Sequence, residues 1–97
     1  MRTLQKIITI IKSHKKELSQ KFYVKNIAIF GSYVRGEQKC KSDLDVLVEF
    51  SKPVGFFEFL DLEEYLEKLV NTKIDLVTKK ALKPRIGQKI FEEMVPL

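Results

Sequence analysis

The sequence predicts an α+β fold, α/β-like in its alternation. A small mixed sheet of three strands, or slightly more, is flanked by helices in the order α-β-α-β-α-β-α. Three observations predict it. Residues 25–30 (KNIAIF), 43–50 (DLDVLVEF) and 73–78 (KIDLVT) are short runs rich in apolar and β-branched residues, bounded by polar residues or glycine. The segments around them carry apolar residues at intervals of three and four, the helical period. The 97 residues are enough for one modest core and too few for two, so a single domain over 1–97 is expected.

The first helix is expected over residues 3–22. Leu4, Ile7, Ile8, Ile11, Leu18 and Phe22 share one face, Lys12, Lys15, Lys16 and Glu17 take the other, and a bend is expected near Ser13. His14 falls among charges on the polar side and is given no role. Strand 25–30 ends at Gly31. Residues 32–37 suit one or two helical turns, with Ser32 as N-cap and Gly36 as terminator. Residues 37–42 form a polar loop that holds Cys40, and strand 43–50 follows. The turn at Lys52-Pro53-Val54-Gly55 leads into a helix over 56–70, whose apolar stripe comprises Phe56, Phe59, Leu60, Leu62, Leu66, Leu69 and Val70. After the strand at 73–78, Pro84 opens a last amphipathic helix with Ile86, Ile90, Phe91 and Met94 on one side.

Composition narrows the function classes. A 44% apolar, 32% charged chain reads as a soluble globular protein, and no apolar run approaches the roughly 20 residues of a membrane span. The basic N-terminal stretch has helical spacing and no small-residue cleavage site, which argues against a signal peptide. One cysteine excludes an internal disulfide and gives no thiolate metal cluster. A cytoplasmic location is expected. The net charge of +5 fits a phosphate ligand, a nucleic acid or an acidic protein. The lysines are spread along the chain and do not cluster with aromatics, so nucleic acid gains little support.

The chemistry concentrates in residues 31–45, GSYVRGEQKCKSDLD. Asp43 and Asp45 are two apart in a strand, so both leave one face about 7 Å apart, while Leu44, Val46 and Val48 turn into the core. The helix at 56–70 is long enough to make strands two and three parallel neighbours, which brings Asp75 to Asp43 and Asp45. The short link from strand one to strand two makes that pair antiparallel, setting Gly31 and Ser32 beside the same acids. Three crowded carboxylates repel unless cations neutralise them, and Mg²⁺ is held by a few carboxylates plus substrate phosphates. Two such ions suit in-line phosphoryl displacement. Gly31 lets backbone approach a phosphate, Ser32 can offer N–H and hydroxyl, and Arg35 adds charge. Singly, each residue has a plainer explanation: a turn for Asp43, a cap for Ser32, a surface ion pair for Arg35. Asp45 and Asp75 are harder to explain so, because an acid inside an apolar strand is costly without a partner.

Gly31-Ser32, ten residues, then Asp43-Leu44-Asp45 resembles the signature of the DNA polymerase β-type nucleotidyltransferases. The wider string IAIFGSYVRGEQKCKSDLDVLVEF, with KIDLVT downstream, is similar to the minimal nucleotidyltransferase (MNT) family, which includes MntA-type antitoxins. Val34 stands where this group usually has alanine, a departure expected to affect packing more than chemistry. The resemblance implies the polymerase β-type fold, with Asp43, Asp45 and Asp75 binding Mg²⁺ and Gly31 and Ser32 holding the phosphates of ATP. It also implies a partner, a HEPN-type toxin silenced by transfer of AMP to a tyrosine. Larger nucleotidyltransferases carry an acceptor domain for which these residues leave no room, so a second chain is expected to bring the acceptor. Two other functions stay open: an antitoxin that neutralises its partner by binding alone, and nucleotidyl transfer to a small molecule such as an aminoglycoside.

Overall fold

The structure, a computed structural model, describes residues 4–36, 43–81 and 93–97. The N-terminal segment forms two helices, α1 (Leu4–Ser13) and α2 (Lys15–Phe22). The bend expected near Ser13 is a break at His14. The Ser13 hydroxyl lies 2.7 Å from the Ile10 carbonyl, and His14 Nδ1 lies 2.8 Å from the same oxygen. Side chains that take up backbone acceptors in this way compete with the helix. Tyr23 then closes α2 in the left-handed conformation, φ 59°.

The chain continues through β1 (Val24–Phe30), a one-turn α3 (Ser32–Arg35), β2 (Leu44–Phe50), α4 (Phe56–Val70) and β3 (Ile74–Thr78). A short 3₁₀ turn covers Lys79–Ala81, and β4 (Val95–Pro96) is the last of the described strands. The final helix expected from Pro84, with Ile86, Ile90 and Phe91, lies outside the described residues, as does the loop with Cys40. The sheet has four strands in the order β3-β2-β1-β4. As expected, β1 and β2 are antiparallel, and β2 and β3 are parallel around α4. The fourth strand is the addition. Two residues at an edge, one of them proline, leave too little pattern to be read as a strand.

One face of the sheet carries the main core. Ile27, Ile29, Leu44, Val46, Val48 and Ile74 pack with Ile7 and Ile11 of α1, Leu18 of α2, and Leu62, Leu66 and Val70 of α4. Fully burying each such side chain contributes about 1.5–3 kcal/mol. The buried face of α4 differs from the stripe expected. Phe59 and Leu69 flank Leu62, Leu66 and Val70, but Phe56 is 70% exposed and Leu60 38%. At about 100° per residue these two are turned roughly a quarter turn or more from the Leu62–Leu66–Val70 line. The opposite sheet face holds a smaller cluster of Ala28, Phe30 and Leu47, packed by Val77 and Met94. Along β2, Leu47 shares its face with Asp45 and Glu49. The apolar cluster on this face therefore lies between the acids at one end and the Asn26–Glu49 pair at the other.

Candidate active site

The register brings the predicted acids level. Leu44 N–H donates to the Lys73 carbonyl at 2.8 Å, which opens the parallel ladder. Asp45 then stands directly opposite Asp75, with Asp43 one step before the start of β2. On the other side of Asp45 the neighbour is Phe30, the last residue of β1, so Gly31 falls beside the Asp45 carboxylate.

Gly31 is required there for two reasons. Its φ is +80°, a left-handed conformation that side chains resist. A Cβ added to it would overlap Asp45 Oδ2 and lie 2.9 Å from Asp45 Cγ. The carboxylate thus lies against bare backbone. The one-turn helix that follows corrects the capping expectation for Ser32. It is the Gly31 carbonyl that accepts from Val34 N–H at 3.1 Å and Arg35 N–H at 3.2 Å, so Gly31 is the cap and Ser32 the first helical residue. The left-handed turn at Gly31 aims its carbonyl down the helix and makes this possible. Gly36, φ +72°, ends the turn as expected.

The electrostatics follow from this crowding. Burial pushes the Asp45 carboxyl up to about 6, and repulsion by Asp75, a hydrogen bond shared with Asp75 and repulsion by Asp43 add to the rise. Arg35 pulls the other way. Asp45 and Asp75 are thus neighbours across the parallel strand pair, Asp43 acts on Asp45 through space, and the Arg35 guanidinium is near enough to Asp45 to be felt. Asp45 and Asp43 are half-buried and Asp75 is exposed at the rim. Among the described residues, no three acids are already closed around one metal-sized point.

Three further acids border the site and were not picked out from the sequence. Glu93 Oε1 accepts from Gly31 N–H at 3.3 Å and from Arg35 Nη1 at 3.0 Å. The surface ion pair weighed for Arg35 thus exists, and its partner lies far along the chain. Glu67 Oε1 accepts from Ile74 N–H at 3.3 Å, tying α4 to the start of β3. Burial, then Glu67, then Asp75 raise the Glu63 carboxyl, with Lys73 opposing them. Spacing along α4 would have paired Glu63 with Glu67, but nothing local in the sequence links either to Asp75.

The donor set is oxygen-rich, anionic and partly desolvated, with bare glycine backbone on one side and a guanidinium nearby. Hard divalent cations and phosphate groups suit such a set. Over residues 11–97 the sequence matches the profile of the nucleotidyltransferase domain family. A relative from Thermococcus cleftensis, named protein adenylyltransferase MntA, is 47% identical over 95 residues, covering 98% of this chain and 96% of its own. A solved structure described provisionally as a minimal nucleotidyltransferase superposes with a TM-score of 0.76 at 29% identity, covering 94% of this chain and 95% of that one. A toxin–antitoxin structure with AMP-PNP superposes with a TM-score of 0.70 at 21% identity, over 88% of this chain and 70% of that one, a likeness of fold.

Proposed function

Because the chain belongs to the nucleotidyltransferase domain family, we propose that it transfers AMP from ATP to a hydroxyl of a partner protein, a tyrosine of a HEPN-type toxin. In this reading it acts as the antitoxin of a toxin–antitoxin pair in the cytoplasm. The observation that carries the chemistry is the meeting of Asp45 with both Asp75 and the backbone of Gly31. One contact gathers the acids and the other puts a side-chain-free backbone against them.

Asp43, Asp45 and Asp75 are the residues that would hold Mg²⁺, two ions in the expected stoichiometry. What magnesium supplies when bound there is charge: it neutralises the phosphates and acidifies the attacking hydroxyl. Gly31 N–H, Ser32 and the Arg35 guanidinium hold the triphosphate. Asp75, exposed at the rim, is where a side chain from another protein can arrive, and it helps take the proton of that hydroxyl. The acceptor oxygen forms a bond to the α-phosphorus, the bond to pyrophosphate breaks, and pyrophosphate leaves. A protein acceptor is supported by the name of the Thermococcus cleftensis relative.

The test uses labelled ATP, Mg²⁺ and the protein encoded next to this one. Label should pass to that protein with wild type and be lost with Asp43→Asn. No label with wild type, or equal label with the variant, refutes the proposal. A second function, silencing the partner by contact alone, draws support from the exposed rings of Phe56 and Phe57, 70% and 79% accessible, and from Leu60 beside them on α4. If an Asp43→Asn, Asp45→Asn double variant still protects cells fully, contact suffices.

A further inference from the structure

The phosphate corner of the site already holds an anionic oxygen supplied by the chain itself. β4 runs antiparallel to β1, with Ile29 opposite Val95 and Ala28 opposite Pro96. Glu93 lies two residues before β4, beside Gly31 at the end of β1. There its Oε1 takes both the Gly31 N–H and an Arg35 Nη1 hydrogen. These are two of the donors assigned above to the triphosphate. Carboxylate and phosphate oxygens ask the same thing of an amide and a guanidinium, a charge-assisted hydrogen bond. One pair of donors cannot serve both in full.

We propose that Glu93 is a built-in competitor for the phosphate position, and that its carboxylate must release Gly31 and Arg35 before a triphosphate can seat. The inference rests on the nucleotide-binding reading of Gly31 and Arg35. Glu93 thereby sets how tightly the site takes a nucleotide. Weakly bound anions fail to displace it, whereas a triphosphate offers several oxygens and does. Displacement is within reach physically. The pair is partly solvated, with the Arg35 side chain 43% and the Glu93 side chain 22% accessible. β4, which begins two residues after Glu93, is anchored by two residue pairings, by Leu97 N–H on the Ile27 carbonyl at 2.9 Å and by Lys15 Nζ on the Leu97 carbonyl at 2.8 Å. Those anchors lie beyond Glu93, so its side chain can turn away without undoing the sheet.

The test titrates inorganic tripolyphosphate, and separately ATP, into wild type, Glu93→Gln and Glu93→Asp in the presence of Mg²⁺, read by calorimetry. Loss of the competing charge, or its withdrawal by one methylene, should tighten tripolyphosphate binding about three- to fivefold, the range set by a partly exposed ion pair. In turnover assays with the partner protein, KM for the nucleotide should fall with kcat unchanged, a split that a purely structural role would not give. In an Arg35→Ala background the gain should shrink, because one of the two shared donors is gone and only the Gly31 N–H remains. Equal or weaker binding by both variants, with wild type binding well, overturns the role of Glu93 and leaves the nucleotide reading intact. Failure of every form, wild type included, to bind tripolyphosphate or ATP overturns the nucleotide reading and this inference together.

Discussion

Asp45 offers the most direct test of the acid cluster. Its carboxyl lies at about 6 in the folded chain against an ordinary 3.8. The folded value is the higher, so protonated Asp45 favours folding. That stability is fully present below pH 4 and is lost as the pH rises through 6. The shift would correspond to about 3 kcal/mol if taken whole. Solvent at a half-buried group screens part of it, leaving about 1–2 kcal/mol. Asp45→Asn removes the charge and keeps the shape, so at pH 7.5 in chelator it should be more stable than wild type by that amount. For a domain of this size the gain is about 5–10 °C in Tm. The advantage should vanish near pH 4. Adding Mg²⁺ at pH 7.5 should raise the Tm of wild type and barely move that of the variant, since a ligand that binds only the folded form stabilises it. The assay is thermal unfolding followed by far-UV circular dichroism from pH 4 to 8, with EDTA or with Mg²⁺. Parallel pH profiles for the two proteins in EDTA would refute the reasoning, because Asp45 would then carry no cost for a cation to relieve.

Asp75→Asn should lower the Asp45 titration midpoint, because both its charge and its shared hydrogen bond go; carboxyl NMR measures the shift. Gly31→Ala combines a left-handed φ with overlap of the Asp45 carboxylate and should cost about 2–4 kcal/mol in urea unfolding. Gly36→Ala has a similar φ but open space around it, and should cost only about 1 kcal/mol in the same assay. Leu66→Ala empties a fully buried site on α4 and should cost about 2–5 kcal/mol. Phe57→Ser, at a 79% exposed position, should stay within about 0.5 kcal/mol of wild type. If contact contributes to silencing, that variant weakens partner binding without loss of Tm.

The legible parts of this protein are those written in local pattern. Among the described residues, the three longer strands and the helix at 56–70 could be placed to within a residue, because alternation and helical period are read within a few turns of chain. The placing of Asp75 level with Asp45, one step from Asp43, was also legible. A strand of alternating faces and a crossover helix of sufficient length leave few other arrangements. The exposed side of α4 was less so: Phe56 and Leu60 satisfy the apolar pattern, and only the angle at which the helix lies on the sheet leaves them in solvent.

By itself the sequence determined the alternation of helices and strands, the family signature from Gly31 to Asp45, and the gathering of acids at one end of a sheet. The first two follow from periodicity or from spacing along one short stretch, and the third from alternation along a strand and a crossover helix of sufficient length. Tertiary structure alone decided that Gly31 and not Ser32 caps the short helix, and that Glu93 takes hold of Gly31 and Arg35. The cap follows from the left-handed backbone at Gly31, and the Glu93 contact reaches across 62 residues of chain. An edge strand of two residues has no pattern of its own, and its partner is chosen by the packing of everything between.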